Sequence, residues 1–230
     1  MDAGPSYDHL STDPTTIAGL ARPGSTPPIP VPPVVDDGAI VIIECGEPLV
    51  AVTSIGCVNG YRAVGWVGTD DVVRLRARVI EKLRAVEAAL PGGFGLAIYD
   101  GWRSPVTVRA LYEHYYGTDS TLEPGFLADP DDETVAPPHQ TGGAVDLTLA
   151  WKGTPLSLGT AFDDFTPRAH LRALENEPGL ARDLRRLLHH ALGAEGFVPF
   201  DQEWWHYSWG DQAWAAATGA GHAIYGAVNP

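Results

Sequence analysis

The sequence predicts an α+β fold, an antiparallel sheet with flanking helices, on three observations. Strand-like and helix-like segments come in clumps and not in a regular βαβ alternation. Hairpin-length gaps separate neighbouring strand-like segments. No internal repeat divides the 230 residues, which suffice for one substantial core.

Residues 1–36 are rich in Pro, Ser, Thr, Gly and Asp and end in PGSTPPIPVPPVVDDG. Such a composition buries too little apolar surface to offset ordering, so it reads as a disordered or draped arm before a single domain over 37–230. AIVIIECG (39–46) and PLVAVTSIG (48–56) read as β-rich segments bounded by Gly and Pro. Between Thr69 and Gly93, Val72, Leu75, Val79, Ile80, Leu83, Val86 and Leu90 recur at helical spacing. Asp70 or Asp71 is the expected cap, and Pro91-Gly92-Gly93 the stop. FGLAIYDGWRSP is a short strand running into a turn, where Ser104 and Pro105 open the helix of VTVRALYEHYYG. Residues 117–138 form a long loop rich in acid, Gly and Pro. HQTGGAVDLTL (139–149) is a glycine-bearing turn running into a buried strand. Pro178-Gly179 opens another helix through LARDLRRLLHHALGAEG; GFVPF and WWHYSW are strands, and DQAWAAATG is a terminal helical piece.

Composition excludes some functions. A formal net charge of −14 leaves no basic footprint for nucleic acid or an anionic membrane. No run of about 18 apolar residues exists to span a bilayer, and MDAGPSYDHLSTDP lacks the basic and apolar regions of a signal peptide. The expected location is cytoplasmic. Cys45 and Cys57 fit neither a disulfide scaffold nor a cysteine-rich zinc site; they read as thiols in or near strands, with a bridge between them left open.

Asp146 lies between Val145 and Leu147 in the buried strand, where an ionised carboxylate costs several kcal/mol without a partner. His139 precedes it, and DQEWWHYSWGD adds Glu203 and His206 three residues apart. Two imidazoles and a carboxylate are a sufficient ligand set for a catalytic Zn²⁺, one per chain, and the ion would compensate the buried anion. Gly142-Gly143 allows the turn that His139 and Asp146 need to converge. If Glu203 to His206 is a strand, a bulge or twist must bring both to one side; a helical turn would do so directly. Glu203 then reads as the general base. Arg103, between a strand and a helix, can stabilise an oxyanion or hold a carboxylate.

YDGWRSP, HQTGGAVDLTL, LGTAFDDF and EWWHYSWGD, in this order and spacing, resemble the zinc D-alanyl-D-alanine dipeptidases of the VanX type. These belong to a group whose fold is shared with the Hedgehog signalling domain, and the resemblance covers roughly residues 39–215. It implies His139, Asp146 and His206 as zinc ligands, Glu203 as catalytic base and Arg103 as stabiliser of the tetrahedral intermediate. It also implies Asp163 as the acid that receives the substrate's free amino group, which selects dipeptides over blocked chains. Two departures stand out. Pro137 occupies a place where the family commonly has serine, and VTSIGCVNGYRAVG (52–65) matches the family pattern poorly in a region used near the substrate.

Other candidates read as structural. His189 and His190 lie on a solvated helix face, His114 in packing or at the surface, and His170 in the loop after Asp163. Trp204, Trp205 and Trp209 are core aromatics, one of which also suits a substrate wall. Asp100 braces the turn that holds Arg103. The leading expectation is a zinc dipeptidase acting on D-Ala-D-Ala or a related small dipeptide, in glycopeptide resistance or in wall recycling. The alternatives are the same metal site turned to another amide and a zinc-stabilised binding module. Retention of both Glu203 and Arg103 argues against the module.

Overall fold

The computed structural model describes residues 5–33, 38, 40–117, 126–132 and 134–230. Among the described residues eight strands follow one another: β1 Leu49–Ala51, β2 Gly56–Cys57, β3 Arg74–Arg76, β4 Phe94–Asp100, β5 Ala144–Trp151, β6 Thr154–Pro155, β7 Val198–Phe200 and β8 Glu203–Ser208. The helices are α1 Gly60–Ala63, α2 Ala77–Ala89, α3 Pro105–Tyr116, α4 Pro138–Thr141, α5 Leu180–Ala194 and α6 Gln212–Thr218. The main sheet runs β2-β4-β5-β8-β7, with β6 beside β5, and β1 pairs with β3 apart from it. The fold is α+β, as expected. Every pairing is antiparallel except that of β2 with β4, which is parallel.

The strongest helix signal is corrected at its start. Residues 74–76 form β3, and α2 begins only at Ala77. Val73 and Leu75 are buried while Val72 is exposed, which is the period of a strand. Antiparallel pairing with β1 satisfies that backbone, and Asp70 accepts from Arg74 Nε at 2.6 Å instead of capping a helix. From Val79 to Val86 the helical spacing holds, and those apolar residues are buried. AIVIIECG is corrected as well: among its described residues there is no strand, only a single bridge from Ile42 to Ala223. Its backbone pairs irregularly with the C-terminal tail through Ile43 N to Ala223 O at 2.8 Å and Cys45 N to Ile224 O at 3.0 Å. Val41 and Ile43 consequently face outward.

The remaining elements stand close to where sequence puts them. Ser104 Oγ accepts from Thr107 N at 3.1 Å to cap α3, with Pro105 at its first position. Parts of the 117–138 loop, residues 118–125 and 133, lie outside the described residues. Cys45 and Cys57 are free. The arm, read as disordered or draped, lies on the domain over residues 5–33. Tyr7 and Leu10 enter the core, Tyr7 Oη accepts from Trp66 Nε1 at 2.8 Å, and Thr12 bridges to Leu156. Among the described residues no helix is long and apolar enough to cross a membrane.

Candidate metal centre and its cleft

The site is built on one row of the sheet. Asp100 on β4 stands opposite Asp146 on β5, and Asp146 stands opposite His206 on β8. On β5, Val145, Leu147 and Leu149 enter the hydrophobic core, so strand alternation turns Asp146 to the other face. His139 arrives from α4, whose C-cap is Gly142 in the left-handed region at φ 70°. At Gly143 a Cβ would lie 2.6 Å from the Trp209 carbonyl oxygen, so both glycines of the turn are required by its geometry.

His139 Nε2 lies 3.3 Å from Asp146 Oδ2, His206 Nδ1 lies 3.0 Å from Asp146 Oδ1, and the two ring nitrogens are 3.1 Å apart. Asp146 is 2% exposed and His139 5%. His139 Nδ1 lies 2.8 Å from Gly101 O; a carbonyl only accepts, so Nδ1 carries the proton and Nε2 presents a lone pair. Burial alone would raise the Asp146 pKa, but the His139 and His206 imidazoles outweigh it and hold the carboxylate well below its usual range. One ligand atom from each of the three residues falls within 4.8 Å of the others, so the cluster can bind a metal ion. The donor set fits: lone pairs and a carboxylate converge on one point, and a backbone carbonyl orients the first imidazole.

Glu203 and His206 share a strand and still face the same place. The pairing of β7 with β8 slips between Pro199 and Phe200, so the strand bulges, as one of the two expected arrangements required. Glu203 Oε2 lies 3.9 Å from His206 Nδ1. Burial, followed by the negative charges of Asp146 and Asp163, raises the Glu203 pKa well above the carboxylate range.

Arg103 is buried beside this cluster. Its Nε donates to Asp100 Oδ2 at 3.0 Å and its Nη2 to Tyr61 Oη at 3.2 Å, while Nη2 lies 3.6 Å from Asp146 Oδ2. Asp100 braces the arginine, as expected, and also lies 3.3 Å from His139 Nδ1. Tyr61 Oη in turn donates to Asp163 Oδ1 at 3.2 Å. Asp163 occupies the left-handed region at φ 54°, rare for a residue with a side chain. Its Oδ2 is buried without a hydrogen-bond partner, and burial and then the charge of Asp146 push its pKa up to about 7.

All six expected site residues, His139, Asp146, His206, Glu203, Arg103 and Asp163, line one cavity of about 650 Å³. Pro137 lines it too. The sequence reading missed Tyr61, which links Arg103 to Asp163 from the poorly matching 52–65 segment; only its aromatic ring after Asn59-Gly60 hinted at it. It also missed residues 30–33 of the arm, which line the cavity. Trp204, Trp205 and Trp209 are buried in the core and do not line it. His114 packs on Trp66 and Tyr115, His190 donates to the arm at Pro27 O, and His189 reaches the cavity wall.

Residues 70–222 match the D-ala-D-ala dipeptidase family, peptidase M15. A D-alanyl-D-alanine dipeptidase of Synechocystis sp. is 27% identical, covering 77% of this chain and 87% of its own length. Those of Enterococcus faecium and Streptomyces coelicolor are 28% and 30% identical, over 65% and 66% of this chain and 76% and 77% of theirs. A solved structure of the vancomycin resistance D,D-dipeptidase VanXYg, in complex with a D-Ala-D-Ala phosphinate analog, overlays with a TM-score of 0.41 at 17% identity. That overlay covers 78% of this chain and 66% of the other.

Proposed function

The chain belongs to the D-ala-D-ala dipeptidase family of metallopeptidases, and from that premise we propose that its cavity hydrolyses D-alanyl-D-alanine or a related small dipeptide. In this reading His139, Asp146 and His206 hold one zinc ion. The observation that carries it is the convergence of those three ligand atoms within 4.8 Å, beside Glu203 and Arg103.

A zinc ion held by His139, Asp146 and His206 would supply Lewis acidity for water and the scissile carbonyl. Glu203 accepts the proton of the attacking water at its carboxylate and returns it to the leaving amine nitrogen. The Arg103 guanidinium, held in place by Asp100, balances the charge that develops on the carbonyl oxygen. Asp163 receives the substrate's ammonium at its unpartnered Oδ2, while Tyr61 holds Oδ1. A chain blocked at its amino end would leave that carboxylate buried without a partner, which disfavours it.

The test is turnover of a dipeptide panel by zinc-loaded protein, with and without a chelator, alongside metal content by mass spectrometry. Chelator-sensitive hydrolysis of D-Ala-D-Ala supports the reading, and failure to cleave any D,D-dipeptide sinks it. Pro137 on the cavity wall favours a second reading for the same centre, hydrolysis of another small amide. That reading predicts panel activity displaced from D-Ala-D-Ala to a different substrate.

A further inference from the structure

The proline-rich arm takes no part in the chemistry just described, yet it is seated by a clamp. Thr26 O accepts from Arg186 Nη1 at 3.4 Å and Pro27 O from His190 Nε2 at 3.0 Å. Ile29 N–H donates to Glu175 Oε1 at 3.3 Å, and its carbonyl accepts from Arg172 Nε at 3.0 Å. The Ile29 side chain is 2% exposed, and Glu175 is itself ion-paired with Arg186. Four side chains, from α5 and from the turns before it, therefore fix residues 26–29.

Past the clamp the chain reads Pro30-Val31-Pro32-Pro33. Proline fixes φ and stiffens such a segment, so the anchor at Ile29 sets the direction of the residues that follow. All four line the same cavity as His206 and Glu203. The cavity lining tells on which side. Arg103 follows β4, Asp146 and His206 sit on β5 and β8, and β7 lies beyond β8; His189 of α5, the helix that carries half of the clamp, lines the cavity together with Val198, Pro199 and Phe200 of β7. Residues 30–33 thus meet the cavity on the side of α5 and β7.

On the proposed function, on which this inference rests, the substrate's amine lies at Asp163 and its scissile carbonyl at the ligand cluster. Its C-terminal residue then points to the β7 side, toward residues 30–33. We propose that this segment is the outer wall of the substrate cavity and selects dipeptides by blocking a chain that continues past the second residue. Val31 lines the cavity and is 70% exposed, so it can be changed without disturbing packing.

The experiment compares kcat/KM for D-Ala-D-Ala with that for the free-amine tripeptide D-Ala-D-Ala-D-Ala, using zinc-loaded full-length protein. Ile29→Asp, which unseats the clamp, is expected to lower the dipeptide-to-tripeptide ratio at least tenfold, and Val31→Gly about threefold. General damage to the enzyme would lower both rates and leave the ratio unchanged. Val31→Gly alters an exposed side chain, so it decides the matter alone if Ile29→Asp fails to fold by circular dichroism. A ratio unchanged to within twofold, with D-Ala-D-Ala turnover intact, overturns the role of the arm and leaves the proposed function standing. Absence of D-Ala-D-Ala turnover in the unmutated protein overturns both.

Discussion

Glu203 and Asp163 are two carboxylates in one cavity, and their surroundings suit them to different work. Glu203 lies beside His206, so Glu203→Gln removes the proton acceptor while leaving all three ligands in place. Turnover is expected to fall about 100-fold or more with zinc content and melting temperature unchanged; equal activity would show that another group takes the proton. For Asp163 the sign is set by a pKa raised from 3.8 to about 7. A carboxyl raised in the folded chain favours folding below its ordinary pKa, and that contribution is lost as pH rises to about 7. Recognition runs the other way, because only the ionised group pairs with an ammonium. KM for a free dipeptide should therefore fall as pH rises through about 7, and Asp163→Asn should flatten the profile; a flat profile in the unmutated enzyme would remove Asp163 from substrate binding. At this scale the sequence was informative. A carboxylate between Val145 and Leu147 has few inexpensive explanations, and a cation is one of them. Tyr61 was not legible, because a tyrosine after Asn-Gly has no property that announces a partner 42 residues away.

The turn between α4 and β5 and the bulge in β8 do for the elements what the ligands do for the residues. Gly143→Ala would press a methyl group against the Trp209 carbonyl, a backbone atom that cannot swing aside. The expected cost is about 1–3 kcal/mol of stability. The shifted turn should also weaken zinc binding, measured by competition with a chromogenic chelator; unchanged affinity would show that the turn does not set the position of His139. Both glycines could be read from the sequence as a bend. The bulge could only be named as a requirement, since a slip in register depends on how β7 meets β8. The start of α2 shows the same limit. Val72, Leu75 and Val79 fit a helix by spacing, and pairing with β1 makes a strand of residues 74–76 instead.

Over the whole molecule, three buried acids, Asp100, Asp146 and Glu203, gather with half-buried Asp163 in or beside the cavity of a chain of net charge −14, with Arg103 buried among them. A bound dication offsets that charge and binds the folded state selectively. At metal concentrations about a hundredfold above Kd, the melting temperature should rise by about 5–10 °C over the metal-free protein. Scanning calorimetry with a chelator, followed by zinc, checks this. No shift on zinc addition would mean that the cluster does not bind the ion.

By itself the sequence determined the α+β class, the chemical types of the site and their local settings: a turn before a strand, an acid inside it, and a Glu-x-x-His strand among aromatics. Those are properties of residues a few positions apart, and local sterics and burial set them. The tertiary structure decided which side Glu203 faces, that Tyr61 joins Arg103 to Asp163, and that residues 30–33 stand at the cavity wall. Each is a contact between distant parts of the chain, set by packing and strand register, which local periodicity does not encode. A proline-rich segment has the same composition in water as against a wall; the buried Ile29 and its clamp on α5 decide which it is.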